Sequence, residues 1–279
     1  MNRLKSSVAA IALLLGTPAF AADMAVKGPA APPPAPVYNW TGWYVGLNAG
    51  ASMGTAKTDF SVSPFFVGKT ISTPGSSGSN TIGPSGFIGG GQIGYNWQYS
   101  PLIVVGLEAD IQWSHEGDSS GAINQPFRFA LPATLAPAPT VTGTAAVDYD
   151  AKIMDWFGTA RARIGYLWGN GTVLTYVTGG LAYGEVKING TAGVSGTAAG
   201  APFFAIDSFS HSHLNTGWTL GYGTEGVIDF WGARNWTWKV ESLYMDLGHL
   251  DAAGASGLVT TNTHFTDWIL RGGLNYRFY

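Results

Sequence analysis

The chain ends in Phe265-Thr266-Asp267-Trp268-Ile269-Leu270-Arg271-Gly272-Gly273-Leu274-Asn275-Tyr276-Arg277-Phe278-Tyr279. Trp268, Leu270, Gly272, Leu274, Tyr276 and Phe278 alternate there with Asp267, Ile269, Arg271, Gly273, Asn275 and Arg277. One face is apolar and closes on aromatics, while the other carries charges and an amide. A period of two over this length makes a β-strand whose faces meet different surroundings. It is also long enough to cross a bilayer at a tilt, which takes about 9–11 residues. The stretch reads as the closing strand of a barrel in an outer membrane.

The other end of the chain fits export. Arg3 and Lys5 precede an apolar run from Val8 to Leu15, and Ala19-Phe20-Ala21 follows, the layout of a secretory signal over 1–21 cleaved before Ala22. Residues 22–38 hold prolines at 29, 32, 33, 34 and 36, which favour an extended polyproline-type linker in the periplasm. Its expected role is a spacer that keeps the cleavage site accessible. Residues 39–279 form the expected barrel. The chain has no cysteine, so it has no lipid-bearing N-terminal Cys, disulfide framework or thiolate metal site.

After the signal, no uninterrupted apolar stretch of about 18–20 residues remains for a transmembrane helix. Charged residues make up 11% of the chain beside 40 Gly, 11 Trp, 12 Tyr and 14 Phe. That is under half the roughly 25% charge of soluble domains, too little to solvate a globular surface of this size. A soluble eight-stranded calyx, the main rival fold, would need a charged exterior. Losing Arg3 and Lys5 moves the net charge from −3 to −5, and no nucleic-acid partner is expected.

Eight segments carry strand character: roughly 43–51, 87–97, 102–113, 153–167, 172–187, 214–228, 236–247 and 265–279. In the third, Glu108, Asp110 and Gln112 oppose Ile103, Val105, Leu107, Ala109, Ile111 and Trp113. The fifth, VLTYVTGGLAYGEV, is apolar on both faces, so its orientation is open. Long and short connections alternate between the segments, as in bacterial barrels with long outer loops and short periplasmic turns. Both ends periplasmic require an even strand number, which eight satisfies.

Tryptophans collect at the segment ends. With odd segments running outward, Trp43, Trp97, Trp168, Trp231, Trp236 and Trp238 fall on the periplasmic side and Trp113, Trp156, Trp218 and Trp268 on the outer side. Indoles favour both membrane interfaces, so these are two expected girdles around a lipid-bilayer partner. Trp40 alone stands before the first strand. The expected inward faces carry Glu108, Asp110, Arg161, Arg163, Glu225, Lys239, Glu241 and Arg271, four acids and four bases. An eight-stranded barrel is just wide enough for side chains to fill, and buried charges are tolerated when paired. The expected role is a polar plug that holds the barrel's shape.

The stretches PAPVYNWTGWYVGLNAG (34–50), WFGTARARIGYLWGNGTVLTYVTGGLAYG (156–184), WKVESLYMDLGH (238–249) and LRGGLNYRF (270–278) resemble a family of small alphaproteobacterial outer-membrane proteins. Its members are described as porin-like or immunogenic and include surface antigens and haem binders. The resemblance covers essentially the whole mature chain and implies an eight-stranded outer-membrane barrel. It also implies a C-terminal signal for the outer-membrane assembly machinery at Tyr276, Phe278 and Tyr279.

His115, His211, His213, His249 and His264 all fall in or beside the expected outer loops. His211 and His213, two apart, share one face if extended. Neutral imidazole ligates transition metals and haem, so a haem or metal receptor is one alternative reading, although no ligand motif is present and no cofactor is expected. Gly89-Gly90-Gly91-Gln92-Ile93-Gly94 matches GxGxxG only in form, because the glycines lie inside a strand. Glu108 and Glu241 lack a nucleophile, base and orienter at recognisable spacing, so an enzyme is not expected. The loops 52–86 and 114–151 are rich in Gly, Ser, Thr, Ala and Pro. They could extend the strands above the membrane as an adhesive or immunogenic rim for an extracellular or host ligand. The expected function is a surface-exposed barrel that is structural for the envelope. The alternative is a small-solute pore, which barrel size disfavours because open channels are typical of 16–18 strands.

Overall fold

A computed structural model describes residues 38–64, 66–67, 71–72, 75–116, 119–130, 140–198, 200–230 and 232–278. The expected signal, all but the last residue of the linker, Trp231 and Tyr279 lie outside the described residues. Twelve strands follow in chain order: β1 (Gly42–Val62), β2 (Phe66–Val67), β3 (Ile71–Ser72), β4 (Ser76–Ile82), β5 (Ser85–Gln98) and β6 (Ile103–Glu116). After these come β7 (Ser119–Ala130), β8 (Thr140–Trp168), β9 (Val173–Ala198), β10 (Ala201–Phe230), β11 (Ala233–Ala253) and β12 (Val259–Arg277).

Eight of them make a closed antiparallel ring in the order β1, β5, β6, β8, β9, β10, β11, β12. It is sealed by a β1–β12 ladder from Tyr44↔Arg277 to Val62↔Val259. Closure removes the free edges that an open sheet would expose to lipid. The turn between β8 and β9 is tight because Gly169, Asn170 and Gly171 all take left-handed backbone angles (φ 60°, 58° and 80°), which glycine and asparagine tolerate best.

The strands run far beyond the eight expected segments. The first continues from 51 to Val62, the fourth begins at Thr140, and the fifth and sixth stay paired as far as Ala198↔Ala201 instead of being parted by a loop of about 26. The cause is an inversion of polarity with the period kept. In the membrane, β1 turns Trp43, Val45, Leu47 and Met53 outward and buries Tyr44, Asn48 and Ser52. Beyond Met53 the outward residues are Lys57, Asp59 and Ser61, and the buried ones are Ala56, Phe60 and Val62. Lipid outside gives way to water, so the apolar face turns in. The fifth segment is resolved as well, with Leu174, Tyr176, Thr178, Ala182 and Val186 inward and Val177 and Leu181 outward.

The described girdle tryptophans all lie on the outer face. Trp43, Trp97, Trp113, Trp168, Trp218, Trp236, Trp238 and Trp268 are exposed, as lipid-facing groups are in the isolated chain, and Trp156 is half-buried. They join tyrosines in two rows. Near the periplasm Trp43–Tyr95, Tyr95–Trp97 and Trp236–Tyr276 ring centroids lie 5.2, 4.6 and 5.2 Å apart. On the outer side Trp218–Tyr244 and Tyr244–Trp268 lie 5.5 and 5.1 Å apart.

Above the membrane the ring divides. β5 pairs with β1 only as far as Ser85↔Met53, and β4 then takes over from Ile82↔Ala56. Likewise β7 replaces β6 beside β8. The β10–β11 ladder stops at Trp218↔Asp246. The head is therefore two four-stranded sheets, β11-β12-β1-β4 and β7-β8-β9-β10, around one apolar core that includes Phe60, Ile123, Val147, Phe209, Leu250 and Phe265. Between β10 and β11, Asn215 donates to the carbonyls of Leu247 and His249 (both 3.1 Å). Higher up, Asp207 accepts from the Ser256 amide (3.1 Å) and hydroxyl (2.7 Å).

Candidate functional site, the charged interior of the barrel

Alternation on the in-membrane strands sends every second side chain into a tube that eight strands leave only wide enough for side chains. All eight charged residues named above occupy it, and none of the eight residues is more than 4% exposed. Glu108 and Asp110 come from β6, Arg161 and Arg163 from β8, Glu225 from β10, Lys239 and Glu241 from β11, and Arg271 from β12.

Arg161 is the hub. Its guanidinium reaches Glu108 (2.5 Å), Asp110 (2.9 Å) and Glu241 (2.9 Å). Arg271 forks between Asp110 (2.9 Å) and Glu241 (2.7 Å), and Lys239 lies 2.8 Å from Glu108. One level nearer the periplasm, Arg163 meets Glu225 at 3.1 Å. Four acids face four bases, so the buried group is neutral. Arginine suits this work because its rigid fork bonds two carboxylates at once.

Neutral side chains complete the shell. Tyr44 donates to Glu108 (2.6 Å), Tyr176 to Glu241 (3.1 Å) and Thr159 to Asp110 (2.7 Å). Glu225 accepts from Thr237 (2.6 Å) and Asn275 (3.0 Å). Asn96 on β5 accepts from Arg163 Nε (3.0 Å) and Nη2 (2.8 Å). Every ring strand thus contributes, which ties the whole circumference together. The tyrosines have room because they lie across glycines of neighbouring strands: a Cβ at Gly94 or Gly223 would strike the ring of Tyr44 or Tyr176. The glycines at 89–94 belong to the wall and build no phosphate loop.

Trp40, which precedes the first strand and carries no periodic signal, closes the periplasmic mouth. It is fully buried, its indole N–H donates to the Gly171 carbonyl at 2.8 Å, and its amide donates to Gln98 at 2.9 Å. Arg277 donates to the Trp40 carbonyl and stacks over the indole at 4.9 Å, a cation–π contact of real weight when desolvated. Tyr38, Val104, Leu167 and Leu174 pack around it. Arg277 stands outside the set of eight, yet the period that runs from Arg271 through Asn275 already places it inward. Stacked from the periplasm outward, the interior is an aromatic stopper, a neutral charged layer and an apolar head.

The five histidines do not gather at one place. His115, His211 and His213 are exposed, on separate positions. His249 and His264 stack at 4.4 Å, with His264 3.0 Å from Asp246. Among the described residues no group of three or more His, Cys, Asp or Glu is arranged to hold a metal ion. Of the C-terminal residues, Tyr276 and Phe278 face outward with ring centroids 5.2 Å apart.

Residues 7–278 match the family described as outer membrane protein beta-barrel domain. The 31 kDa outer-membrane immunogenic protein of Brucella melitensis is 37% identical over 274 residues, covering 97% of this chain and 98% of that one. The 25 kDa outer-membrane immunogenic protein of Brucella abortus is 28% identical over the full length of both chains. Among solved structures, the outer membrane protein OprG of Pseudomonas aeruginosa aligns over 86% of this chain and 98% of its own, at 12% identity and a TM-score of 0.40. With its closed ring, paired aromatic belts and family match over nearly its whole length, the chain belongs to the outer membrane protein beta-barrel family and resides in the outer membrane.

Proposed function

We propose that this protein is a sealed, load-sharing barrel of the outer membrane that meets its surroundings through its extracellular head. The carrying observation is the charged layer, in which every acid is matched by a base and every ring strand contributes a polar group. In this reading Glu108 and Glu241 are structural anions. Breaking one partner out of such a buried set costs about 3–5 kcal/mol, so the layer resists both distortion and the entry of water. Trp40 and the apolar head support the seal on either side.

The head is the part that reaches partners, a reading supported by relatives named as immunogenic outer-membrane proteins. Export by the residues 1–21 signal, a spacer at 22–38 and recognition of the Tyr276-to-Tyr279 end by the assembly machinery complete the proposal. The test is liposome swelling with refolded mature protein in isotonic arabinose. The sealed reading expects swelling no faster than that of protein-free vesicles. Fast swelling by correctly folded protein would sink it and favour the small-solute pore.

A further inference from the structure

Outside the membrane the outward faces of the strands are polar, with Lys57, Asp59, Asp148, Asp150, Asn189 and Asp251 exposed there. β10 departs from this. Phe204 is 81% exposed and Ile206 69%, and both precede Trp218 of the outer belt by more than ten residues. A strand rising about 3.3 Å per residue at a tilt of about 40° carries them roughly 30 Å above that belt. Lipid does not cover them at that height.

The same stretch has a bare hydrogen-bonding edge. β9 pairs with β10 on one side all the way to Ala201↔Ala198. On the other side β11 pairs only from Trp218 inward, and the last cover is the β11–β12 hairpin tip. That tip is held by Asp207 on Ser256 and by the Ala255 amide on the Ser208 carbonyl. Alternate residues of an antiparallel strand aim their N–H and C=O to opposite sides. Because Ser208 faces this side, Phe204 and Ile206 do too, and no strand among the described residues pairs with them there. Natural edges are blunted by charge or proline. At the opposite edge of the same sheet β7 carries Pro126 and Arg128; on β10 the open edge is bounded by Pro202 at its outer end and by the Ser208–Ala255 contact at its inner end, and Phe203–Ile206 between them carries neither proline nor charge.

We propose that the Phe204–Ile206 edge of β10 is a strand-addition site, which captures an extended, uncharged peptide segment of another protein at the cell surface. Backbone pairing to Phe204 and Ile206 would supply the binding, and apolar side chains at alternate positions of the partner would cover the two exposed ones. The absence of charge along the edge selects an uncharged segment. A second copy in the same membrane does not fit. Two upright barrels tilt their strands by about 35–45° in the same sense, so facing β10 edges cross at roughly 70–90°, against about 20–25° between neighbours in a sheet. The inference rests on the outward placement of the head and is independent of whether the lumen conducts.

The test uses full-length mature protein in lipid nanodiscs and a fluorescein-labelled Thr-Val-Thr-Val-Thr-Val peptide, read by fluorescence anisotropy against empty discs. A twin peptide with alternate backbone nitrogens methylated keeps the side chains and loses the donors. Saturable binding is expected for the first peptide and none for the twin. Ile206→Pro removes an N–H that points away from β9 and should weaken binding at least tenfold. Phe204→Lys should do the same and keeps the test alive if the proline variant misfolds. Lack of saturable binding, equal binding of the methylated twin, or unchanged binding by both variants would overturn the proposal. A swelling or conductance result cannot be confused with any of these.

Discussion

Replacing Arg161 with methionine removes the cation that touches three of the four network carboxylates. Asp110 retains Arg271 and Thr159, Glu241 retains Arg271, and Glu108 retains Lys239. The layer therefore keeps its geometry but holds four acids against three bases. One uncompensated buried charge costs about 3–5 kcal/mol, a large part of the roughly 5–15 kcal/mol that holds a typical fold. The assay is urea unfolding of protein refolded into lipid vesicles, followed by tryptophan fluorescence. Arg161→Lys keeps the charge without the fork and should lose less, about 1.5–3 kcal/mol for a charged hydrogen bond it cannot make. Adding Glu241→Gln to Arg161→Met restores neutrality and should recover about 1–3 kcal/mol through the coupling of contacting residues. A methionine variant within about 0.5 kcal/mol of the parent, or a double variant whose losses simply add, would show that Arg161 does not hold the layer together.

Trp40→Ala should cost about 3–5 kcal/mol through the cavity it leaves, read in the same unfolding assay, and a change below about 1 kcal/mol would remove Trp40 from the seal. Leu47→Arg, at a lipid-facing position 74% exposed in the isolated chain, should destabilise the barrel by about 2–4 kcal/mol in vesicles; a neutral outcome would place that face away from the hydrocarbon. In the head, burial tends to raise the Asp207 carboxyl, but hydrogen bonds from the Ser256 hydroxyl and amide outweigh it and hold the group below the usual aspartate range. A carboxyl lowered by folding stabilises above its unfolded value, and that contribution is lost as the pH falls through the folded one. Protection of the 254–258 hairpin-tip amides, taken relative to their intrinsic exchange rate at each pH, should therefore hold from neutral pH down to the ordinary aspartate range and be lost only below it, whereas Asp207→Asn should remove that acid-driven step; a variant with the parent's profile would contradict the clasp.

Where a strand borders lipid, its sequence shows it. The alternation of Glu108, Asp110 and Gln112 with Leu107, Ile111 and Trp113 sets both the strand and its facing, and the tryptophan spacing marks where each crossing begins and ends. Above the belt the same alternation persists in Ala56, Thr58, Phe60 and Val62. Its outward partners turn polar and small there, so the contrast that marked the membrane disappears. That is why the head reads as loops in sequence and is strand in three dimensions. The network's members are visible because a charge inside an alternating strand has one place to go. Their pairings are not, because Arg161 and Glu241 stand 80 residues apart and meet only once the ring closes. Trp40 is hidden for a different cause: it reaches the lumen from irregular backbone, where no period announces a facing.

Whether the lumen is shut can be read by single-channel recording of the refolded mature protein in a planar bilayer. A silent membrane is expected with the intact protein, and steps only after Trp40→Ala is combined with Arg161→Met to remove the stopper and unbalance the charged layer. Reproducible open steps from the intact, correctly folded protein would contradict a shut lumen and turn the same eight charges into the walls of a pore.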